Sequence, residues 1–311
     1  MRVLSSTASI VDPGVGGPIQ EDSPPLSMTT FRKTAEAGLE FLRANAGNMK
    51  SVTDSGIVFE ENFTQLLILD VTKDRSLVDL SPCQYTWNFF RNKPVFSETF
   101  PDDLDTTSIA WSVLPCQSSL ADMLMRDMSN YTTPEGYFLT YLDETRPRFD
   151  HCVNVNVLRF FYTHGAGSAL KQSLDFVYRV LQDRSYTSGS RYYVYPECFL
   201  YFLSKLLQFD ASELDPLREA FTERIRERVG LSGGPLESAM RLISCARVGV
   251  SDDEDLRRLI SMQNSDGGWE ADWLYRFGST GVRAGSRCLT TALAIEAITL
   301  HLPEADGPIN A

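Results

Sequence analysis

LRRLISMQNSDGGWEADW, Leu256–Trp273, joins two segments of different character. Its first half spaces Leu256, Leu259 and Ile260 at helical intervals with arginines between them, as an amphipathic helix does. Asp266, Gly267 and Gly268 then end that helix. A glutamine at such an end (Gln263) can bond the free carbonyls, the glycines supply the reversal, and Trp269 can stack on the next unit. The segment that follows, Ser286–Ile298, is apolar nearly all round and carries little charge. The unit is therefore a half-charged helix, a reversal and an apolar helix.

Working outward, the same couplet recurs along the chain. Charged amphipathic segments lie at 31–47, 84–93, 118–130, 169–184, 215–230 and 253–263. More apolar ones follow at 61–71, 103–114, 150–161, 195–207, 235–246 and 286–298. The apolar segments start roughly 40 to 50 residues apart, the range of helix-pair repeats. A helix polar on one face wants water on that face, and one apolar all round wants burial on both sides. Six such pairs close most simply as an all-α, single (α/α)6 toroid over residues 28–311, with apolar inner helices ringed by half-exposed outer ones. Residues 1–27, rich in Ser, Pro and Gly without periodicity, read as a poorly ordered N-terminal arm. Polar residues at the inner-helix starts then converge on one mouth of the barrel.

Composition narrows the function. The net charge of −12 and the scattered 29 Lys and Arg argue against a nucleic-acid partner. No apolar run reaches the roughly 18–20 residues of a membrane span, and the N-terminus lacks a signal-peptide core, so the chain reads as cytoplasmic. The six cysteines contain no C-x-x-C pair and the three histidines no ligand spacing, so neither a metal nor a cofactor is expected. All six cysteines read as buried small hydrophobes. The expected partner is a hydrophobic small molecule, held in a mostly apolar cavity with a few convergent polar groups.

The densest polar cluster is FPDDLDTTSIAW, Phe100–Trp111, at the start of the second apolar segment. Asp105 can be an acid primed by burial and by a neighbouring carboxylate, Asp103, which together raise its pKa. It can equally cap the helix together with Pro101 or Asp102, or contact a substrate without protonating it. The helix start and a hydrogen bond from Thr106 would favour its ionised form. Other groups placed near inner-helix starts are Asp150, Asn154, Tyr195, Glu197 and Arg287, with His151 as a possible general acid or base. Trp111, Phe160, Tyr193, Trp269 and Trp273 are candidate wall residues, whose ring faces would steady a carbocation.

Gln263, Asp266, Gly267 and Trp269 match Q-x-x-D-G-x-W, and in this the chain resembles the terpenoid cyclase and protein prenyltransferase toroids, where it is called the QW motif. DLDTT resembles the D-x-D-D-T of class II, squalene-hopene cyclase-like enzymes. By that resemblance Asp103 takes the first acid position, Asp105 the central proton donor, Thr106 stands where the third acid would be, and Thr107 keeps the threonine. The inner segment at 284–297 lacks, at its start, the histidine with which the prenyltransferases bind zinc, and DDLDT fails the magnesium-binding D-D-x-x-D of ionising synthases. The resemblance implies a metal-independent intramolecular cyclase of a terpenoid-type intermediate, started by Asp105. With one acid missing, a pericyclic, Diels-Alder type closure of the same substrates stays open. So do a carbohydrate-active barrel, pairing Asp103 or Asp105 with Glu197 or Glu237, and a non-enzymatic binding toroid.

Overall fold

The computed structural model describes residues 27–278 and 280–302, so the expected N-terminal arm lies almost wholly outside the described residues. Among them are eleven α-helices and one small sheet. The apolar segments become α2 (Phe63–Thr72), α3 (Leu104–Val113), α5 (His151–Thr163), α7 (Pro196–Leu206), α9 (Pro235–Arg247) and α11 (Arg287–Leu300). Each packs on the next in this order, and α11 packs back on α2, so the six form a ring. Outside them lie α1 (Met28–Ala44), α4 (Ser118–Met128), α6 (Lys171–Gln182), α8 (Asp215–Arg226) and α10 (Asp253–Ser261). These bury one face only, as their charge pattern requires.

Two expectations are corrected. Residues 84–93 are not an outer helix, so six inner helices face five outer ones among the described residues. Pro82 and Pro94 bracket the stretch. Its backbone pairs instead in extended bridges, Asn88 with Asp102 and Phe90 with Glu61, while Trp87 and Phe90 are buried. Side chains that looked like one helical face are used in an extended strap. The second correction concerns the cysteines. Cys152, Cys198, Cys245 and Cys288 are buried on inner helices, whereas Cys83 is exposed and Cys116 half-buried.

A four-stranded antiparallel sheet was not anticipated. Its strands are β1 (Ser51–Thr53), β2 (Val58–Phe59), β3 (Tyr275–Arg276) and β4 (Arg283–Gly285), in the order β2-β1-β4-β3. Val52 pairs with Gly285 and Thr53 with Ala284, which ties the first repeat to the last where α11 meets α2.

The opening motif works at the same seam. Gln263 Nε2 donates to the carbonyls of Thr34 and Gly267 (2.8 Å each), and the fully buried Trp269 donates its indole N–H to Leu259 O (2.7 Å) and its backbone N–H to Thr291 Oγ1 (3.0 Å). Gly267 has φ +88°, and a Cβ there would stand 2.4 Å from Ala37 O; one on Gly268 would stand 2.8 Å from the Phe41 ring. The motif is a clamp among α1, α10 and α11. Trp269→Ala is expected to lower the unfolding free energy by about 3–5 kcal/mol, read as a lower urea midpoint at unchanged slope.

Candidate active site

The cavity opens where the inner helices begin. It encloses about 960 Å³ of empty space, its open mouth included. Its wall is largely aromatic: Phe63 from α2, Phe89 and Phe90 from the extended strap, Phe96 and Phe100 from the segment between the strap and α3, Tyr141, Tyr192 and Tyr193 from the loops before α5 and α7, and Tyr275 and Phe277 from the β3–β4 hairpin. Three cations, Arg146, Arg148 and Arg276, stand among the lining residues. Arg146 pairs with Asp143 (3.2 Å), Arg276 donates to Ser190 O, and Arg148 is exposed. An apolar interior beneath guanidinium groups suits an extended hydrocarbon with a polar or anionic end.

Two carboxylates face this space. Asp103 is the N-cap of α3: Oδ1 accepts the Thr106 N–H (2.6 Å) and Oδ2 the Thr106 hydroxyl (3.0 Å). The cap is therefore Asp103, not Pro101 or Asp102, and the Thr106 hydroxyl serves Asp103 rather than Asp105. Asp105, in the first turn, gets its partners from other helices. Asn156 on α5 donates to Oδ1 (2.8 Å) and the Tyr193 hydroxyl to Oδ2 (2.5 Å). Both acids are buried, with Asp105 8% exposed.

Burial pushes Asp105 up to about 7; the hydrogen bonds from Tyr193 and Asn156 act against this, and the charge of Asp150 adds to it. Asp103 is pushed well above the carboxylate range, by burial and then by the charge of Asp105, while Thr106 opposes the shift. Burial is the larger cause in both acids. Burial also holds the Tyr193 phenol well above its usual range, with Asp105 adding to the effect, so it donates to Asp105 rather than ionising.

Of the expected site and wall residues, the cavity gathers Asp103, Asp105, Thr106 and Tyr193. The others lie elsewhere. Asp150 caps α5 through Cys152 N (2.8 Å) and accepts from Tyr192 N (3.2 Å), which places it behind Asp105 rather than on the cavity wall. His151 packs edge-on against Phe199 (5.2 Å), and burial pulls its pKa down. Asn154 bonds the backbone of Phe138 (2.9 and 3.0 Å). Tyr195 donates to Asp272 (2.5 Å), and Glu197 is locked to Arg241 and Arg228 (2.7 Å each). Arg287 pairs with Asp266 (3.0 Å) and lies over the Phe41 ring. Trp111 donates to Tyr85 O (2.9 Å), Trp269 belongs to the seam clamp, and Arg283 sits over Trp273. Phe160 is core.

Glu237 closes the capping box of α9, so neither Glu197 nor Glu237 faces Asp105 across the cavity as a paired-carboxylate glycosidase would need. Among the described residues one trio, Asp150, His151 and Cys152, brings possible ligand atoms within 4.8 Å of one another. Both Asp150 oxygens are already engaged by backbone N–H groups, and burial raises the Cys152 thiol well above its usual range. No helix among the described residues is long and apolar enough to cross a membrane.

Sequence reasoning missed Asn156 and the polar role of Tyr193. An asparagine in the middle of an apolar helix was the available signal, since such a group needs a partner inside the ring. The strap phenylalanines were hidden by the expectation of a helix at 84–93.

Folding raises Asp105 from the ordinary carboxylate range to about 7, so between about pH 4 and pH 7 the native state binds more protons than the unfolded chain and stability falls as pH rises. Asp105→Asn lacks this slope. The unfolding free energy of the variant should gain on that of the wild type as pH increases through this window, as measured by urea denaturation at several pH values.

Residues 35–164 match the family described as the sesquiterpene cyclase astC-like C-terminal domain. The chain is 39% identical over 272 residues to the drimenol cyclase drtB of Aspergillus calidoustus, covering 86% of this chain and 52% of that protein. It thus spans about half the length of the curated relative it matches. Among solved structures, the type II terpene cyclase MstE from Scytonema superposes with a TM-score of 0.61 at 13% identity, covering 88% of this chain and 98% of that one. A variant of MstE bound to geranylgeranyl dihydroxybenzoate, its substrate, gives 0.60 at 12% identity, covering 87% and 97%. The ent-copalyl diphosphate synthase of Streptomyces platensis gives 0.53 at 13% identity, covering 77% and 50%. The chain has a terpene cyclase-like fold.

Proposed function

We propose that the cavity cyclises a linear prenyl chain, started by protonation of an alkene from Asp105 without a metal ion, and that the ring of helix pairs is a variant of the (α/α)6 toroid with one outer helix replaced by the strap. The observation that carries this reading is the setting of Asp105: a buried acid, protonated to a substantial extent near neutral pH, on the wall of an aromatic cavity. The likeness to a sesquiterpene cyclase domain and to a drimenol cyclase supports a fifteen-carbon chain. Its polar head would sit at Arg146, Arg148 and Arg276.

The chemistry follows from the contacts. When Asp105 gives its proton to the alkene, negative charge develops on the oxygens to which Asn156 and Tyr193 already donate. Those two bonds strengthen as the proton leaves, so they stabilise the transition state more than the ground state. The cation forms among ring faces whose quadrupoles attract it. Walls made of Phe63, Phe89 and Tyr275 hold the chain folded, which removes much of the entropy of closure.

Asp105→Asn should abolish turnover of linear C15 prenyl diphosphate and the corresponding alcohol, a fall of at least about a thousandfold. Wild-type product made in deuterium oxide should carry one deuteron at the protonated carbon, by mass spectrometry and NMR. Turnover of Asp105→Asn at the wild-type rate with no solvent label would point to a closure that needs no acid. Activity should fall as pH rises through about 7. Tyr193→Phe removes a bond that favours the anion, so it should move this descending limb to higher pH. Replacing Arg148 and Arg276 together with alanine should raise KM for the diphosphate about tenfold with a smaller change in kcat, since a charge that holds the head away from the reacting carbon contributes mainly to ground-state binding.

A further inference from the structure

A second cavity lies at the opposite end of the ring, where the inner helices finish. It encloses about 1040 Å³ of empty space, its open mouth included, and all six inner helices contribute to its wall. Its character is the reverse of the first, with one aromatic ring, Phe209, against six charged side chains. Four of those are cations, Lys73, Arg159, Lys205 and Arg247, in a chain whose net charge is −12. The two acids, Asp70 and Glu296, do not use them up. Arg159 is spent, since both its terminal nitrogens bond Asp70 (2.7 and 2.8 Å). Lys205 gives one bond to Glu296 (2.7 Å) and lies over the Tyr201 ring, Lys73 gives one to Asp70 (3.0 Å), and Arg247 reaches Glu296 at only 3.4 Å. An ammonium has three N–H donors and a guanidinium five, so these three residues keep donors beside the open space. The Lys73 side chain is 73% exposed and that of Arg247 32%, which leaves both within reach of a solute. The partial negative charge of the inner-helix ends draws cations here; it fades within the last turn, is screened where water enters, and steadies the cations without taking up their N–H groups.

We propose that this bowl binds a phosphate-type anion, inorganic phosphate or diphosphate, through Lys73, Lys205 and Arg247. An ion that accepts from the ends of α2, α7 and α9 at once needs several oxygens around one centre and more than one negative charge. A phosphate group has both, whereas a carboxylate offers two oxygens in one plane and a single charge. Four cations against two acids leave a surplus of two, which a dianion matches. The site is separate from the acid cavity and does not depend on how Asp105 acts. Because the ligand ties three helices together across the ring, it binds the folded chain and not the unfolded one, and so stabilises the fold.

The test is calorimetric titration of the full chain with inorganic diphosphate and, separately, inorganic phosphate, at fixed ionic strength. Since Arg148 and Arg276 are read as holding a diphosphate head, both ions are also titrated into Arg148→Ala/Arg276→Ala. One saturable site is expected to remain in that variant, and to weaken about tenfold or more when Lys73→Ala and Arg247→Ala are added, for the loss of two charge-assisted contacts. Lys73→Ala/Arg247→Ala leaves Asp70 paired with Arg159 and Glu296 with Lys205, so without ligand it should unfold at the wild-type urea midpoint. Diphosphate should raise the midpoint of Arg148→Ala/Arg276→Ala but not that of the fourfold variant. Binding to the wild type that disappears in Arg148→Ala/Arg276→Ala overturns the bowl and leaves the head-group reading standing. A single wild-type site that survives in Arg148→Ala/Arg276→Ala and is lost with Lys73→Ala/Arg247→Ala supports the bowl and counts against the mouth as the diphosphate anchor. No saturable binding to the wild type, or an affinity unchanged by Lys73→Ala/Arg247→Ala in the Arg148→Ala/Arg276→Ala background, overturns the proposal.

Discussion

The cap of α3 governs the site. Asp103 uses both carboxylate oxygens to hold Thr106, through its backbone N–H and its hydroxyl. A side chain that ends a helix this way normally sits in water, but here it is buried and faces a cavity. Because Thr106 spends its donors on Asp103, the next acid, Asp105, must find its partners across the ring. It finds them on α5 and on the loop before α7. One local bond thus makes the second acid dependent on the packing of three separate repeats.

The same device recurs around the mouth. Glu61 accepts from Thr64 at the start of α2, and Asp150 accepts from Cys152 at the start of α5. Buried carboxylates therefore gather where the helix N-termini, with their partial positive charge, converge. Burial raises Glu61 above its usual range, as it does Asp103 and Asp105. On the far side of the ring the opposite solution is used: Glu197 and Asp255 are neutralised by Arg241, which is itself buried, and this network fixes α7, α9 and α10 to one another. Acids paired with a guanidinium hold the frame, whereas Asp103 and Asp105, which border the cavity, have none. Breaking the first kind strands a buried charge, whereas the second kind can trade a proton.

How far the sequence could be read depends on whether a residue acts through its neighbours in the chain or across the fold. The inner and outer helices were legible because burial imposes the three- and four-residue spacing directly. The clamp of Gln263, Gly267 and Trp269 was legible because its reversal is local. The stretch 84–93 was misread, since its aromatic spacing fits either a helix or an extended strap, and only pairing with Glu61 and Asp102 decides between them. Glu197 and Arg287 were placed correctly near helix starts but are committed to Arg241 and Asp266, which lie 44 and 21 residues away. Position along a helix does not say which way a side chain points.

What the sequence determined by itself was the alternation of charged and apolar helices, the repeat that closes them into a ring, and the presence of two acids with a threonine in place of a third at one inner-helix start. Those follow from periodicity and local capping. The tertiary structure alone decided which acid is capped and which faces Asn156 and Tyr193, which aromatics form the wall, and how far each carboxyl is raised. The physical reason is that burial and hydrogen-bond partners are properties of a surrounding volume, and that volume is assembled from residues as far apart in the chain as Phe63 and Phe277.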